Sequence, residues 1–371
     1  MATPHVLQTS PSAHPIPEDK FDLFQYAQML RFGDVHFHLD PATQLQAIVA
    51  IHNTRLGPAF GGCRCVPYAS THDAIQDAMR LAQGMSYKNA LARLPYGGGK
   101  AVLIRPPEIQ DREAYFEAFG QFVENLGGRY ITAVDSGTAV ADMDYAARRT
   151  LHVLCTSRHR GGSGDPSPHT ALGVRLGIQA AVTHKLKRSD LEGLQVAIQG
   201  AGHVGYYLAK ELHALGARLS VCDINEKTVQ RCGDEFNARI VPPEAIYDLP
   251  CQVFAPCALG GVINDHTLPR LQASIIAGAA NNQLLQSRHG KILQEQGILY
   301  APDYVINAGG AIRAVIEEET ELKAKIENIY PTLMEIFQRA GDSHQATNEI
   351  ADHMAEEILY GPPGEPTILI E

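Results

Sequence analysis

Val196-Ala197-Ile198-Gln199-Gly200-Ala201-Gly202-His203-Val204-Gly205 is the stretch on which the fold turns. A short run of strand character passes directly into three glycines at G-x-G-x-x-G spacing, and helical periodicity follows from His203 to Leu215. Each glycine has its own task. The first permits the tight turn, the second lets a pyrophosphate approach the backbone at the helix N-terminus, and the third allows close helix–strand contact. Asp223 closes the next strand, Leu219 to Cys222, where a carboxylate can accept hydrogen bonds from an adenine-ribose hydroxyl and repel a 2′-phosphate. Gly200, Ala201, Gly202, His203, Val204, Gly205 and Asp223 are therefore expected to bind a dinucleotide, NAD in preference to NADP.

Outward from this stretch, strand at 195–199, helix at 203–215, strand at 219–222 and helix at 226–236 alternate, with further short apolar runs read as strands at 253–255, 275–277 and 304–306. This alternation predicts a doubly wound parallel sheet. Upstream, residues 160–166 are pure loop chemistry, after which Ser167 can cap a helix and Pro168 can occupy its first turn. Before that boundary we expect a helix over 21–30, a hairpin from Val35–Leu39 and Leu45–Ile51, and a helix over 71–91. Pro95 to Gly99 should then form a loop leading into a strand at 101–104, followed by a helix at 111–126 and a strand at 130–133. Beyond Gly309-Gly310 the pattern is helical to about Leu359. The fold class is thus α/β in two domains: a mobile leader at 1–17, a first α/β domain at 18–160, a Rossmann-type domain at 161–310, and helices at 311–371 returning to the first domain.

The chain has 371 residues, 45% of them hydrophobic and 19% charged, a globular composition long enough for two domains. Its net charge of −10 and the absence of a basic block argue against nucleic acid as a partner. Seven cysteines without a C-x-x-C pair suit reduced thiols; Cys63-x-Cys65 has no further ligands nearby at metal-binding spacing, and His36-x-His38 fits a solvent-facing strand better than a metal site. No apolar run approaches membrane-spanning length and the N-terminus has no signal-like apolar core, so cytoplasmic residence, without membrane or metal, is expected.

Three clusters in the first half carry chemistry-bearing side chains: Met85-Ser86-Tyr87-Lys88-Asn89-Ala90, Gly97-Gly98-Gly99-Lys100 and Thr132-Ala133-Val134-Asp135-Ser136-Gly137-Thr138. Lys88 shares a helix face with Met85 and Ala92, Lys100 is delivered by glycines just before an apolar strand, and Asp135 follows a strand end. Two ammonium groups brought together in a cleft would lower one lysine pKa toward neutrality, as a general base needs.

These clusters, together with Ile51-His52-Asn53-Thr54-Arg55-Leu56-Gly57-Pro58-Ala59, Phe254-Ala255-Pro256-Cys257-Ala258-Leu259-Gly260 and Ala301 to Gly310, resemble the family of leucine, valine, phenylalanine and glutamate dehydrogenases, most closely the leucine dehydrogenases. The resemblance runs in order over residues 20–360. It implies NAD-dependent oxidative deamination of an L-amino acid to a 2-oxo acid with release of ammonia, by a homo-oligomer assembled through the first domain. It also implies roles. Lys88 would bind the substrate carboxylate, Lys100 would deprotonate the water that attacks the iminium, and Asp135 would move protons to and from the amino nitrogen. Thr170 would meet the nicotinamide carboxamide, with Ala258, Asn281 and Asn307 lining the nicotinamide and ribose side. Leu56, Gly57, Ala133 and Val305 would line a pocket with no cation for a side-chain carboxylate, which favours leucine, valine or isoleucine. Two departures, Val134 in place of the usual glutamate and Asp165 as in phenylalanine enzymes, make an aromatic substrate the alternative. Loss of Lys100 or Asp135 would have suggested a non-catalytic NAD-binding regulator, and both are present.

Overall fold

The computed structural model describes residues 22–361, so the leader expected at 1–17 and the tail after Gly361 lie outside the described residues. By internal contacts the described chain forms two compact units, residues 22–165 with 357–361, and residues 166–356.

The first unit contains α1 (Leu23–Met29), β1 (Asp34–Asp40), β2 (Leu45–Asn53), β3 (Ala59–Val66), α2 (Thr71–Leu91), β4 (Gly97–Ile104), α3 (Arg112–Asn125), β5 (Tyr130–Val134) and α4 (Val140–Ala146). Its sheet runs β1-β2-β4-β3-β5; the β1/β2 and β2/β4 pairs are antiparallel, and β4/β3 and β3/β5 are parallel. Strand alternation explains why β2 reads as a continuous apolar run. Leu45, Ala47, Val49 and Ile51 pack with Phe116 and Phe119 of α3 on one face, while Ile48 and Ala50 pack with Ala78 and Met79 of α2 on the other. The side chains of Asp22, Ser70 and Asp111 accept backbone N–H groups at the starts of α1, α2 and α3, which fixes where those helices begin.

Two local expectations change here. Gly97 to Gly99, read as loop, are the first residues of β4, and a Cβ at Gly97 would stand 1.8 Å from Asn53 O and one at Gly98 2.1 Å from Ser86 N. The glycines are there for close approach of neighbouring backbone. Strand β3 was not anticipated at all, because Gly61-Gly62 interrupts its apolar pattern; a Cβ at Gly61 would meet Gly99 O at 1.8 Å.

The second unit contains α5 (Ser167–Leu186), β6 (Gln195–Gln199), α6 (His203–Ala214), β7 (Arg218–Cys222), α7 (Glu226–Phe236), β8 (Arg239–Ile240), β9 (Cys251–Pro256), β10 (Ala273–Ile276), α8 (Arg288–Glu295) and β11 (Leu299–Tyr300). It continues with α9 (Asp303–Ile306), α10 (Gly309–Val315), α11 (Glu319–Glu327), α12 (Ile329–Ser343) and α13 (Thr347–Tyr360), whose last turn groups with the first unit. All six strands are parallel in the order β11-β10-β9-β6-β7-β8. Chain order reverses between β6 and β9, which puts the topological switch point beside the glycine turn that follows β6.

Three readings are corrected in this unit. Residues 304–306 form helix α9 and not a strand, since Pro302 occupies the N-cap position and Asp303 the first turn. Ser167 is the first residue of α5 and gives no side-chain cap; Pro166 holds the cap position. Residues 311–356 belong to the second unit, where α10, α11 and α12 pack against the long helix α5.

Candidate active site

In the first unit, β4, β3 and β5 lie side by side, so the end of β5 and the first half of β4 flank β3. Lys100 Nζ and Asp135 Oδ2 meet across it at 2.7 Å, with the side chains 5% and 15% exposed. The turn that carries Asp135 is tied down locally. Asp135 N–H donates to Thr138 Oγ1 at 2.9 Å, Thr138 Oγ1 donates to Cys63 O at 3.0 Å, and Gly137 adopts φ +82° where a Cβ would strike Cys65 O. Burial pushes the Asp135 carboxyl up, but Lys100 and Arg64 more than offset this and hold it well below the usual carboxylate range.

Lys88 lies buried near the end of α2. That stretch is fastened to its surroundings by side chains on either side of the lysine. His52 Nδ1 pairs with Ser86 Oγ at 2.7 Å while its Nε2 pairs with Leu30 O at 3.0 Å, and Asn89 Nδ2 donates to Gly97 O at 2.6 Å. With Nε2 donating to the carbonyl, the neutral His52 ring accepts from the serine hydroxyl at Nδ1. Leu56 and Gly57, both half-buried, form the turn between β2 and β3, Gly57 at φ +138° with Pro95 O 2.3 Å from where a Cβ would sit. Ala133 is buried on β5.

In the second unit, Gly200 (φ +99°) turns the chain out of β6, and a Cβ there would meet Ala258 N at 2.8 Å. Gly205 leaves no room for a Cβ beneath Gly200 O, whereas Gly202, at the N-cap of α6, has open space before it. His203 and Val204 begin α6, where backbone N–H groups lack intrahelical partners. Asp223 Oδ2 accepts from Ala201 N–H at 2.7 Å and Oδ1 from Asn225 N–H at 2.9 Å. Thr170 Oγ1 donates to Pro166 O at 3.3 Å. Asn307 is buried; its Nδ2 donates to Ala279 O at 3.0 Å and to Asn281 Oδ1 at 2.8 Å, and its Oδ1 has no hydrogen-bond partner among the described residues. Val305 is buried on α9.

The model of the Glu/Leu/Phe/Val dehydrogenase dimerisation domain matches residues 32–152, and the glutamate/leucine/phenylalanine/valine dehydrogenase model matches 161–225 and 219–357. The chain belongs to this dehydrogenase family. It is 50% identical over 343 residues to the leucine dehydrogenase of Geobacillus stearothermophilus, covering 91% of this chain and 93% of that one. It is 43% identical to the phenylalanine dehydrogenase of Bacillus thermotolerans over 350 residues, covering 92% of this chain and 91% of that one. The crystal structure of L-tryptophan dehydrogenase from Nostoc punctiforme superposes with a TM-score of 0.77 at 41% identity, covering 91% of this chain and 98% of that one.

The chain is thus an NAD-dependent amino acid dehydrogenase, an oxidoreductase that oxidatively deaminates its substrate. Its second unit fits the dinucleotide. The open space at Gly202 would admit a pyrophosphate, the Asp223 carboxylate is aimed by two backbone hydrogens, and the unsatisfied buried Asn307 Oδ1 would offer an acceptor to an amide N–H. Sequence reading passed over Arg64, whose guanidinium reaches Asp135. The available signal was a charge flanked by two cysteines in an apolar stretch.

Proposed function

We propose that this dehydrogenase acts on aliphatic L-amino acids, leucine, valine or isoleucine, with Lys88 holding the substrate carboxylate, Lys100 as the general base and Asp135 as the proton carrier to the amino nitrogen. The observation that carries this reading is the enclosed Lys100–Asp135 pair at 2.7 Å, a base and a proton carrier sharing one hydrogen bond. NAD, when bound, supplies the hydride acceptor for Cα. Asp135 takes the proton that the substrate ammonium sheds before Cα is oxidised, and Lys100 takes a proton from the water that adds to the oxidised carbon. Asp135 then returns its proton to the departing nitrogen and takes that of the new hydroxyl, so that ammonia leaves and the 2-oxo acid remains. The second-unit residues Thr170, Ala258, Asn281 and Asn307 hold and orient the nicotinamide side, and the glycine turn with Asp223 holds the adenosine side. Leu56, Gly57 and Ala133 of the first unit and Val305 of the second are small or apolar positions that suit a branched aliphatic side chain. An aromatic side chain is the second reading, favoured by Asp165. A cytoplasmic homo-oligomer assembled through the first unit completes the proposal; among the described residues no helix is long and apolar enough to cross a membrane.

NAD reduction measured across a panel of L-amino acids tests the substrate. We expect kcat/KM for leucine, valine and isoleucine to exceed that for phenylalanine by about tenfold or more; the reverse order would install the aromatic reading, and inactivity throughout would sink both. Lys100→Ala should lower kcat by roughly a thousandfold with NADH binding retained.

A further inference from the structure

The proposed proton carrier has a second cation. Arg64 of β3 places Nε 3.3 Å from Asp135 Oδ2, the same oxygen that Lys100 Nζ meets at 2.7 Å. Its other arm reaches α2, where Nη1 donates to Asp77 Oδ2 at 2.9 Å and Tyr68 OH donates to that oxygen at 2.6 Å. The three charged side chains, Arg64, Asp77 and Asp135, are only 18%, 10% and 15% exposed. Burial works against the guanidinium charge, and the two carboxylates more than restore it. A planar fork addresses two carboxylates from one side chain in a fixed mutual geometry, which the rotatable donors of an ammonium do not impose.

The geometry leads to a functional asymmetry at Asp135. Both cations make their closest contact with Oδ2, and the Ser136 backbone N–H also holds the carboxylate, so its rotation is fixed with Oδ1 away from those closest cation contacts. We propose that Arg64 is a positioning residue of the deamination reaction, holding Asp135 by Oδ2 so that Oδ1 is presented to the substrate's amino nitrogen. The inference rests on the proton-carrying role proposed for Asp135. Arg64 also links the helix bearing Lys88 to the turn bearing Asp135, since Asp77 and Lys88 share α2. Around the Asp135 carboxyl stand Lys100 of β4, Arg64 and Cys63 of β3 and Tyr130 of β5, with Asp77 and Tyr68 acting through Arg64. Arg64 is thus one of two cations setting the charge of the pair.

Arg64→Gln removes the clamp and one positive charge. With leucine and NAD as probes, kcat should fall about 30-fold while KM for leucine changes by less than roughly threefold. The acid limb of the pH profile should move to higher pH, because the site loses a positive charge and the group that must shed a proton for turnover gives it up less readily. Arg64→Lys, which keeps the charge and loses the fork, should hold the limb near its wild-type position and recover kcat only in part. If Arg64→Gln does not fold, Asp77→Asn leaves both cations on Asp135 but frees the far arm of the guanidinium; kcat should then drop about fivefold with the limb unmoved. A silent Arg64→Gln, an equal loss in kcat and rise in KM with an unmoved limb, or an Asp77→Asn variant of wild-type kcat where it is the fallback would each overturn the proposal. Asp135→Asn separates this from the underlying reading. If that variant retains kcat the role of Asp135 fails, whereas an inactive Asp135→Asn beside a silent Arg64→Gln refutes the clamp alone.

Discussion

Asp223 accepts Ala201 N–H with one oxygen and Asn225 N–H with the other, so its carboxylate is oriented before any ligand arrives. An oriented acceptor suits two ribose hydroxyls and opposes a phosphate at the same place. Asp223→Ser should therefore weaken NAD use by about 10- to 100-fold in kcat/KM, the worth of one hydrogen bond to a charged group, while NADP use rises. Kinetics with both cofactors check this, and an unchanged NAD-to-NADP ratio would count against Asp223 as the discriminating residue. Asp223 could be read from sequence because strand, glycine turn, helix and second strand fix its distance from Gly200. Arg64 could not be read so directly. Its partners Asp77 and Asp135 are brought to it by helix α2 and by strand pairing, contacts that no local spacing encodes.

At the scale of elements, the junction of α2 with β4 places Lys88 and Lys100 on neighbouring supports, and its closeness depends on a missing side chain. A Cβ on Gly98 would fall 2.1 Å from Ser86 N and 2.5 Å from Ser86 Cα, backbone atoms that move only if α2 moves. Overpacking of this kind costs about 3 kcal/mol. Gly98→Ala should accordingly lower the melting temperature by roughly 6–12 °C and cut kcat as well. Gly84 on the same helix is the control: nothing lies within 4 Å of its would-be Cβ. Gly84→Ala should leave activity intact and add about 0.5–1 kcal/mol through helix propensity. Thermal unfolding and kcat of the pair decide it; equal effects would mean that the glycine run does not set the junction. The same closeness explains what sequence reading missed. Glycines are punctuation in a local pattern, but at Gly61 and Gly97 to Gly99 they sit inside strands because neighbouring backbone, and at Gly99 the Tyr130 ring, presses on them.

For the whole molecule, alternation of strand and helix was enough to foresee the second unit's parallel sheet, since each crossover is local. The order β1-β2-β4-β3-β5 was not legible, because it inserts β4 between β2 and β3 through pairings distant in sequence. Another whole-molecule property follows from a group outside the site. Asp352 of α13 receives the Tyr304 hydroxyl at 2.7 Å, and its carboxyl is pushed up to about 7 by burial, against that hydrogen bond and with Glu356, Asp303 and Glu349 adding to the rise. Its unfolded value is about 4. The native state therefore binds the extra proton between these values, and stability falls as pH rises through the window. A tenfold change in proton affinity is worth about 1.4 kcal/mol, so for this half-buried side chain we expect a loss of about 2 kcal/mol between pH 5 and pH 8. Asp135 does not contribute there, since a depressed carboxyl loses its stabilisation only in stronger acid. His184, lowered by burial, works in the opposite direction in mild acid and is common to wild type and variant. Asp352→Asn cannot ionise, so its stability relative to wild type should improve by about 2 kcal/mol on going from pH 5 to pH 8. Urea unfolding of both proteins at the two pH values measures that difference, and parallel pH dependences would show that Asp352 ionises in the native state as readily as in the unfolded chain.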